Sequence, residues 1–203
     1  ICTTVGPYAK YGTTLVEACV EAGTHYCDLT GEVQWMARVI PQYQKAAEAS
    51  GARIVHTCGF DSVPFDMGNW YLQQLMLERH GAYAQRVKGR VGKNRGAASG
   101  GTIARVLNMM EEAQNDPSVR REVANPYALY PADTPDGRDG PDQTGAKFDA
   151  DFNQWTSPFI MAAINTRVVR RSNALLGFPW CECFRYDEAT LNTSRSEATL
   201  HSI

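Results

Sequence analysis

The residues predict an α/β protein built on a parallel sheet, and three observations carry that expectation. Apolar, β-branched or aromatic stretches at Ile1–Val5, His25–Leu29 and Ala52–Cys58 read as strands. Two stretches with helical apolar spacing separate them: Gly12–Glu21, with Leu15, Val16, Cys19 and Val20 on one face, and Val33–Ser50, with Trp35, Met36, Val39, Ile40 and Tyr43. Each helix stops at a glycine, Gly23 or Gly51. The strand–helix–strand–helix–strand order makes two linked βαβ units, whose crossovers require parallel strands. Such units form half of a doubly wound, Rossmann-type dinucleotide-binding sheet. The other half would carry a glycine-rich phosphate turn, and no G-x-G-x-x-G follows a strand here. Either that half lies before Ile1 or the fold is of another kind.

The third strand runs into Cys58-Gly59-Phe60-Asp61-Ser62-Val63-Pro64, around which the chain is organised. Gly59 permits a tight turn, Asp61 or Ser62 can cap a helix, and Pro64 suits a first helical turn that needs no amide hydrogen. The helix that follows, Pro64–His80, is apolar on all sides, which predicts burial between layers. Tyr83–Val91 alternates like a strand. Gly92–Gly101 is glycine-rich, and Thr102 opens a helix to about Gln114, with a short one over Pro117–Ala124. Pro131–Gly145, dense in Pro, Gly and Asp, reads as a mobile loop. A helix is expected over Trp155–Asn173 and a strand over Phe178–Tyr186, while the polar tail from Asp187 has no clear signal.

Composition narrows the function classes. The chain has 203 residues, 43% hydrophobic and 21% charged, as ordinary globular proteins do. A net charge of -2 gives no general attraction to nucleic acid or acidic membranes. No stretch approaches a membrane span, and no signal peptide opens the chain. Ile1 stands inside an apolar strand, which suggests a piece of a longer protein. The six cysteines lack the density of a disulfide scaffold and read as reduced core thiols. Cys181 and Cys183 have no second Cys or His cluster to complete a tetrahedral site, so no metal is expected.

The turns taken together resemble the saccharopine dehydrogenase-like oxidoreductases, closest to the branch of the trans-acting enoyl reductases of bacterial lipid and polyketide synthesis. The matching residues are Val5-Gly6-Pro7-Tyr8 with Tyr11-Gly12, Val16-Glu17-Ala18-Cys19, Gly23 through Glu32, and Gly59-Phe60-Asp61-Ser62-Val63-Pro64. Gly100-Gly101-Thr102 and Met161-Ala162-Ala163-Ile164-Asn165 add to them. The resemblance implies an enzyme using NADP or NAD. Residues 1–63 would be the second half of its dinucleotide-binding domain and 64–203 an α+β substrate or dimerisation domain, incomplete at its end. It further implies a small-molecule or acyl substrate, allows a homodimer, and suggests a cytoplasmic protein whose full-length form could associate with a membrane.

Candidate site residues follow from chemistry and resemblance together. Gly6, Pro7 and Tyr8 sit at a strand's carboxyl end, and in the family this turn lies beside the cofactor's ribose and nicotinamide. Thr30 and Gly31 end the next strand; they line the cleft, or merely start a helix together with Glu32. Gly59, Phe60 and Asp61 complete the cofactor edge. Asp61 and Ser62 could orient substrate or relay a proton, with pure capping as the plain alternative. Tyr8, Asp61 and Ser62 are therefore the catalytic candidates. Gly100, Gly101 and Thr102, with Lys93 and Arg95 before them, could bind a substrate carboxylate or phosphate, or form a solvated loop. His56, inside an apolar run, reads as a packed or hydrogen-bonded histidine rather than a catalytic base, and Arg167, Arg170 and Arg171 as a solvated helix end rather than an anion site. No residue declares itself as the proton donor. The choice between NAD and NADP rests on a residue upstream. A non-catalytic lipid- or acyl-binding protein on the same fold is the alternative.

Overall fold

In the computed structural model, residues 1–60, 62–92, 108 and 111–202 are described. The described residues form a mixed α/β arrangement with two sheets. Strands β1 (Cys2–Thr3), β2 (Tyr26–Asp28) and β3 (Ile54–Val55) pair in that order, both pairs parallel, with Cys2 opposite Cys27 and Cys27 opposite Val55. Helices α1 (Tyr8–Glu21) and α2 (Val33–Ser50) are the crossovers between them. The two βαβ units thus form as expected, and all three strands aim their carboxyl ends to one side.

Local chemistry explains the boundaries. Gly51 closes α2 in the left-handed region at φ 74°, which a side chain would resist. Helix α1 begins at Tyr8, four residues before Gly12 in sequence, because its leading amides find a partner across the fold. Glu32 accepts from Tyr8 N at 2.7 Å and from Ala9 N at 2.9 Å. Gly12 then lies inside the helix, where a Cβ would come within 2.7 Å of Trp35 Cζ2. The glycine is what lets α1 close on α2. Tyr8, Val16, Cys19, Val20, Tyr26, Trp35, Met36 and Val39 make the first core, which Leu129 and Ile164 join from the second half of the chain.

After the joint come α3 (Val63–His80), β4 (Arg86–Val91), α4 (Pro117–Ala124), β5 (Lys147–Asp149), β6 (Gln154–Ser157), α5 (Ala162–Leu175), β7 (Arg185–Asn192) and α6 (Arg195–Leu200). The second sheet has the order β4-β7-β6-β5; β4 and β7 are parallel and the other pairs antiparallel. Val87, Val169, Trp180, Phe184 and Tyr186 form its core. Of the helix expected over 102–114, only 108 and 111–114 are described, and these are helical. No described helix is long and apolar enough to cross a membrane.

Several expectations are corrected. Helix α3 is not buried between layers. Its buried residues are Asn69 and Gln73, while Met67, Trp70 and Tyr71 are exposed. Its contacts with the rest of the fold include polar ones, Gln73 bracketing both backbone groups of Ala84 and Asp66 accepting from Ser172, beside the Phe65–Phe159 ring contact. Trp155 belongs to strand β6, opposite Asn192, not to a helix. Pro158 separates that strand from α5, and the helical stripe begins only beyond it. The strand expected over Phe178–Tyr186 starts at Arg185. Phe178 and Cys181 take positive φ, and Asn173 holds the intervening turn through Trp180 N and Cys181 O. Cys181 and Cys183 are joined in a disulfide rather than reduced.

Two further corrections belong together. Arg167 and Arg170 are only 2% and 3% exposed, so they are not a solvated helix end. Arg170 pairs with Asp139 at 2.6 Å and reaches the carbonyls of Pro126 and Tyr186. Arg167 pairs with Asp142 and reaches the carbonyl of Val123, and Arg171 holds that of Leu129. Asp139 and Asp142 lie in Pro131–Gly145, so that stretch is fastened to α5.

Candidate functional site

A groove of about 520 Å³ opens between α2, β3 and the α3–α5 pair. The wall formed by α2 and β3 carries Met36, Val39, Ile40, Tyr43, Ala47, Ile54 and Val55, with Gln44 and Glu48 among them. The α3–α5 side mixes polar Ser62, Asp66, Arg171 and Ser172 with Val63, Met67, Val168 and Leu175, and His56 lies beside it. A largely apolar ligand that also carries a polar group matches this lining.

The polar end is held by bonds across long stretches of sequence. Ser62 stands at the N-cap of α3 but makes no capping bond. Its hydroxyl donates to Asn165 Oδ1 at 2.8 Å. Asn165 Nδ2 in turn donates to Glu188 Oε2 at 3.0 Å, and Tyr186 Oη donates to Glu188 Oε1 at 2.9 Å. Burial pushes the Glu188 carboxyl up to about 8, against the pull of those two hydrogen bonds. Asp66 sits in the first turn of α3 and accepts from Ser172 at 2.9 Å through Oδ2, while Oδ1 is buried without a hydrogen bond. Burial raises its carboxyl as well, and the Ser172 bond opposes the rise.

His56 lines the groove with its back to a buried carboxylate. Nδ1 lies 2.6 Å from Asp28 Oδ2, which also accepts from Tyr26 Oη at 2.9 Å. Asp28 Oδ1 accepts from Thr30 N and Thr57 N, each at 3.0 Å. The ring stands edge-on to Trp35, 5.0 Å between centroids.

The expected cofactor edge divides into exposed and buried members. Gly6 is exposed and precedes Pro7 through a cis peptide bond. At Gly31 an added Cβ would meet nothing nearer than Ile164, at 4.0 Å. Gly59 abuts Leu29, and Phe60 is 88% exposed. Thr30 is buried and accepts from Glu32 N. Tyr8 is 1% exposed and stacks on Trp35; its hydroxyl donates to the carbonyl of Thr3 and accepts from Leu29 N. In this fold Tyr8 braces the ends of β1 and β2. Asp61, Arg95, Gly100, Gly101 and Thr102 lie outside the described residues, as does Lys93.

Ser62 is the one described catalytic candidate that reaches the groove. Asp66, the Asp28–His56 pair and the Asn165–Glu188 pair went unrecognised in the sequence. A signal for the second existed: Asp28 and His56 each interrupt an apolar strand, and Cys27 opposite Val55 makes them neighbours in register. The other two depend on tertiary contacts and left no local mark.

An α/β chain with an apolar groove and a polar head is the class that fold and site define. Its sequence relatives carry enzyme names. The chain is 44% identical to a Mycobacterium tuberculosis protein named "Putative trans-acting enoyl reductase", a match covering 93% of this chain and 46% of that protein. It is 40% identical to a trans-acting enoyl reductase of Mycobacterium ulcerans and 38% identical to one of Mycobacterium leprae, each match covering 98% of this chain and 49% of the relative. The chain therefore spans about half the length of the curated relatives it matches. No family model matches the chain, and no solved structure does.

Proposed function

We propose that this chain is part of an NADP- or NAD-dependent oxidoreductase of the saccharopine dehydrogenase-like kind that reduces a C=C bond in an acyl substrate. Residues 1–63 would belong to the nucleotide-binding domain and 64–203 to the substrate domain. The observation that carries the reading is the groove: a mostly apolar lining that includes the polar cluster of Ser62, Asp66 and Ser172, in a chain whose relatives are named enoyl reductases. The acyl chain would lie on Met36, Val39, Ile40 and Ala47, with its reacting end toward His56 and Ser62.

The residues at the ends of β1, β2 and β3 fit the nicotinamide–ribose end of a cofactor. Gly6 and Phe60 are exposed, and Gly31 leaves room for a flat ring. They offer the phosphates less, because the amides of Tyr8 and Ala9 already serve Glu32. When bound there, a reduced nicotinamide would supply hydride. The chain's own residues position the acceptor. Ser62, whose hydrogen goes to Asn165, presents lone pairs rather than a donor to the groove.

The test uses the product of the open reading frame that encodes the chain, mixed with a 2-enoyl thioester and NADPH or NADH. Oxidation of the nicotinamide with a saturated thioester as product is expected. No oxidation and no calorimetric binding of either nicotinamide would end the reading. An acyl-binding protein without catalysis is the second reading, favoured by Glu32's hold on the α1 amides; it predicts acyl binding with no nicotinamide binding.

A further inference from the structure

The reading above leaves the reduction without an acid, because hydride arriving at one carbon of a C=C bond requires a proton at the other. We propose that His56, oriented by Asp28, delivers that proton from Nε2 to the α-carbon of the acyl substrate. The inference rests on the enoyl-reductase reading.

The argument begins with Asp28. It is fully buried and meets four groups. Two are backbone amides, Thr30 N and Thr57 N, which can only donate. The other two are Tyr26 Oη and His56 Nδ1 on the second oxygen. A carboxylate so surrounded acts as an acceptor throughout, so Nδ1 of His56 carries its hydrogen. Nε2 is then the one ring position at which a proton can be gained or lost.

Placement agrees with this. His56 is among the residues that line the groove and Asp28 is not, and the His56 side chain keeps 7% of its surface exposed. Thr57, the next residue, is a β-branched side chain held at φ 59°. That rare conformation lets His56 Nδ1 and Thr57 N reach the two oxygens of the same carboxylate. Trp35 and Tyr26 hold the ring's angle from its sides.

The step balances. Hydride enters the β-carbon, the π electrons move toward the α-carbon and the carbonyl oxygen, and the Nε2–H bond breaks as the Cα–H bond forms. His56 is left neutral and regains its proton from water, while Asp28 keeps accepting from Nδ1 and holds the ring in place.

The experiment compares the unaltered protein with His56→Asn, which keeps a donor near Asp28 but has no atom at Nε2, and with Asp28→Asn. Turnover of the enoyl thioester should fall about 10²–10⁴-fold in His56→Asn. Binding of the saturated thioester should hold, and the circular dichroism should match. In deuterated water the unaltered protein should place deuterium on one face of the α-carbon, and the variant on both. Separately from turnover, nitrogen NMR of the labelled imidazole should show Nε2 moving when the saturated thioester binds, with Nδ1 unmoved; in Asp28→Asn, Nδ1 should move as well. A His56→Asn protein that keeps full rate and facial selectivity, or an Nε2 signal indifferent to ligand, overturns the donor role and leaves the enoyl-reductase reading standing. Absence of reduction by the unaltered protein removes both.

Discussion

The hydroxyl of Ser62 donates to Asn165 across 2.8 Å and 103 residues of sequence. That bond ties the strand-to-helix joint to α5, and Asn165 passes the tie to Glu188 on β7. The two sheets are thus linked by a buried polar chain with a partner at every bond. Such chains orient side chains well and tolerate truncation badly.

Asn165→Ala should therefore destabilise the protein by about 1–3 kcal/mol, since it leaves buried groups on Ser62 and Glu188 unpaired. Urea unfolding measures this. Asn165→Asp should do no better, because it faces the Glu188 carboxyl with a second acid.

Glu188 makes stability depend on pH. Burial holds its carboxyl up to about 8, so the folded protein keeps a proton that the unfolded chain gives up near the usual carboxylate value of about 4.3. Stability should fall as pH rises between those two values and level off above about 8, because the unfolded state binds fewer protons there. Glu188→Gln should flatten this slope in melting temperature against pH and should be the more stable protein at the alkaline end.

Removing one member of a buried ion pair strands the other. Asp139→Ala leaves Arg170 buried without its carboxylate, at an expected cost of about 3–5 kcal/mol. The same variant should expose Pro131–Gly145 to limited proteolysis, because Asp139 is one of the two acids that pin this stretch to α5. Equal resistance in variant and parent would refute the pinning.

Glu32 closes the start of α1 from outside the helix. Glu32→Ala should cost about 1–3 kcal/mol by orphaning the Tyr8 and Ala9 amides, and Glu32→Gln less, since an amide oxygen still accepts. Hydrogen exchange at Tyr8 and Ala9 would report the loss directly.

The groove can be filled without touching its polar end. Ala47 lines it from α2 and is partly buried. Ala47→Phe should weaken binding of a long saturated acyl thioester about tenfold or more and spare a short one, as titration calorimetry would show. Equal loss for both lengths would place the acyl chain elsewhere.

Much of the fold was legible before any coordinates. Helix α2 matches its expected span from Val33 to Ser50, because its apolar stripe and terminal glycine are local signals. The first sheet was legible for the same reason. Helix α3 was read to within one residue of its span but at the wrong depth. A count of apolar residues says nothing of direction, and Met67, Trp70 and Tyr71 face outward. The arginines of α5 were misread because their acids, Asp139 and Asp142, are far along the chain in a segment whose composition suggests disorder.

The sequence by itself determined the helices and strands of the first sixty residues and that those three strands run parallel, since these follow from spacing, caps and crossovers within a few dozen residues. Tertiary structure alone decided which polar groups meet. Asp28 finds His56 across a strand pair, Glu32 finds the start of α1, and Ser62 finds Asn165 from another helix. A buried donor must find an acceptor, but which one is a property of the folded packing, and no local pattern encodes it.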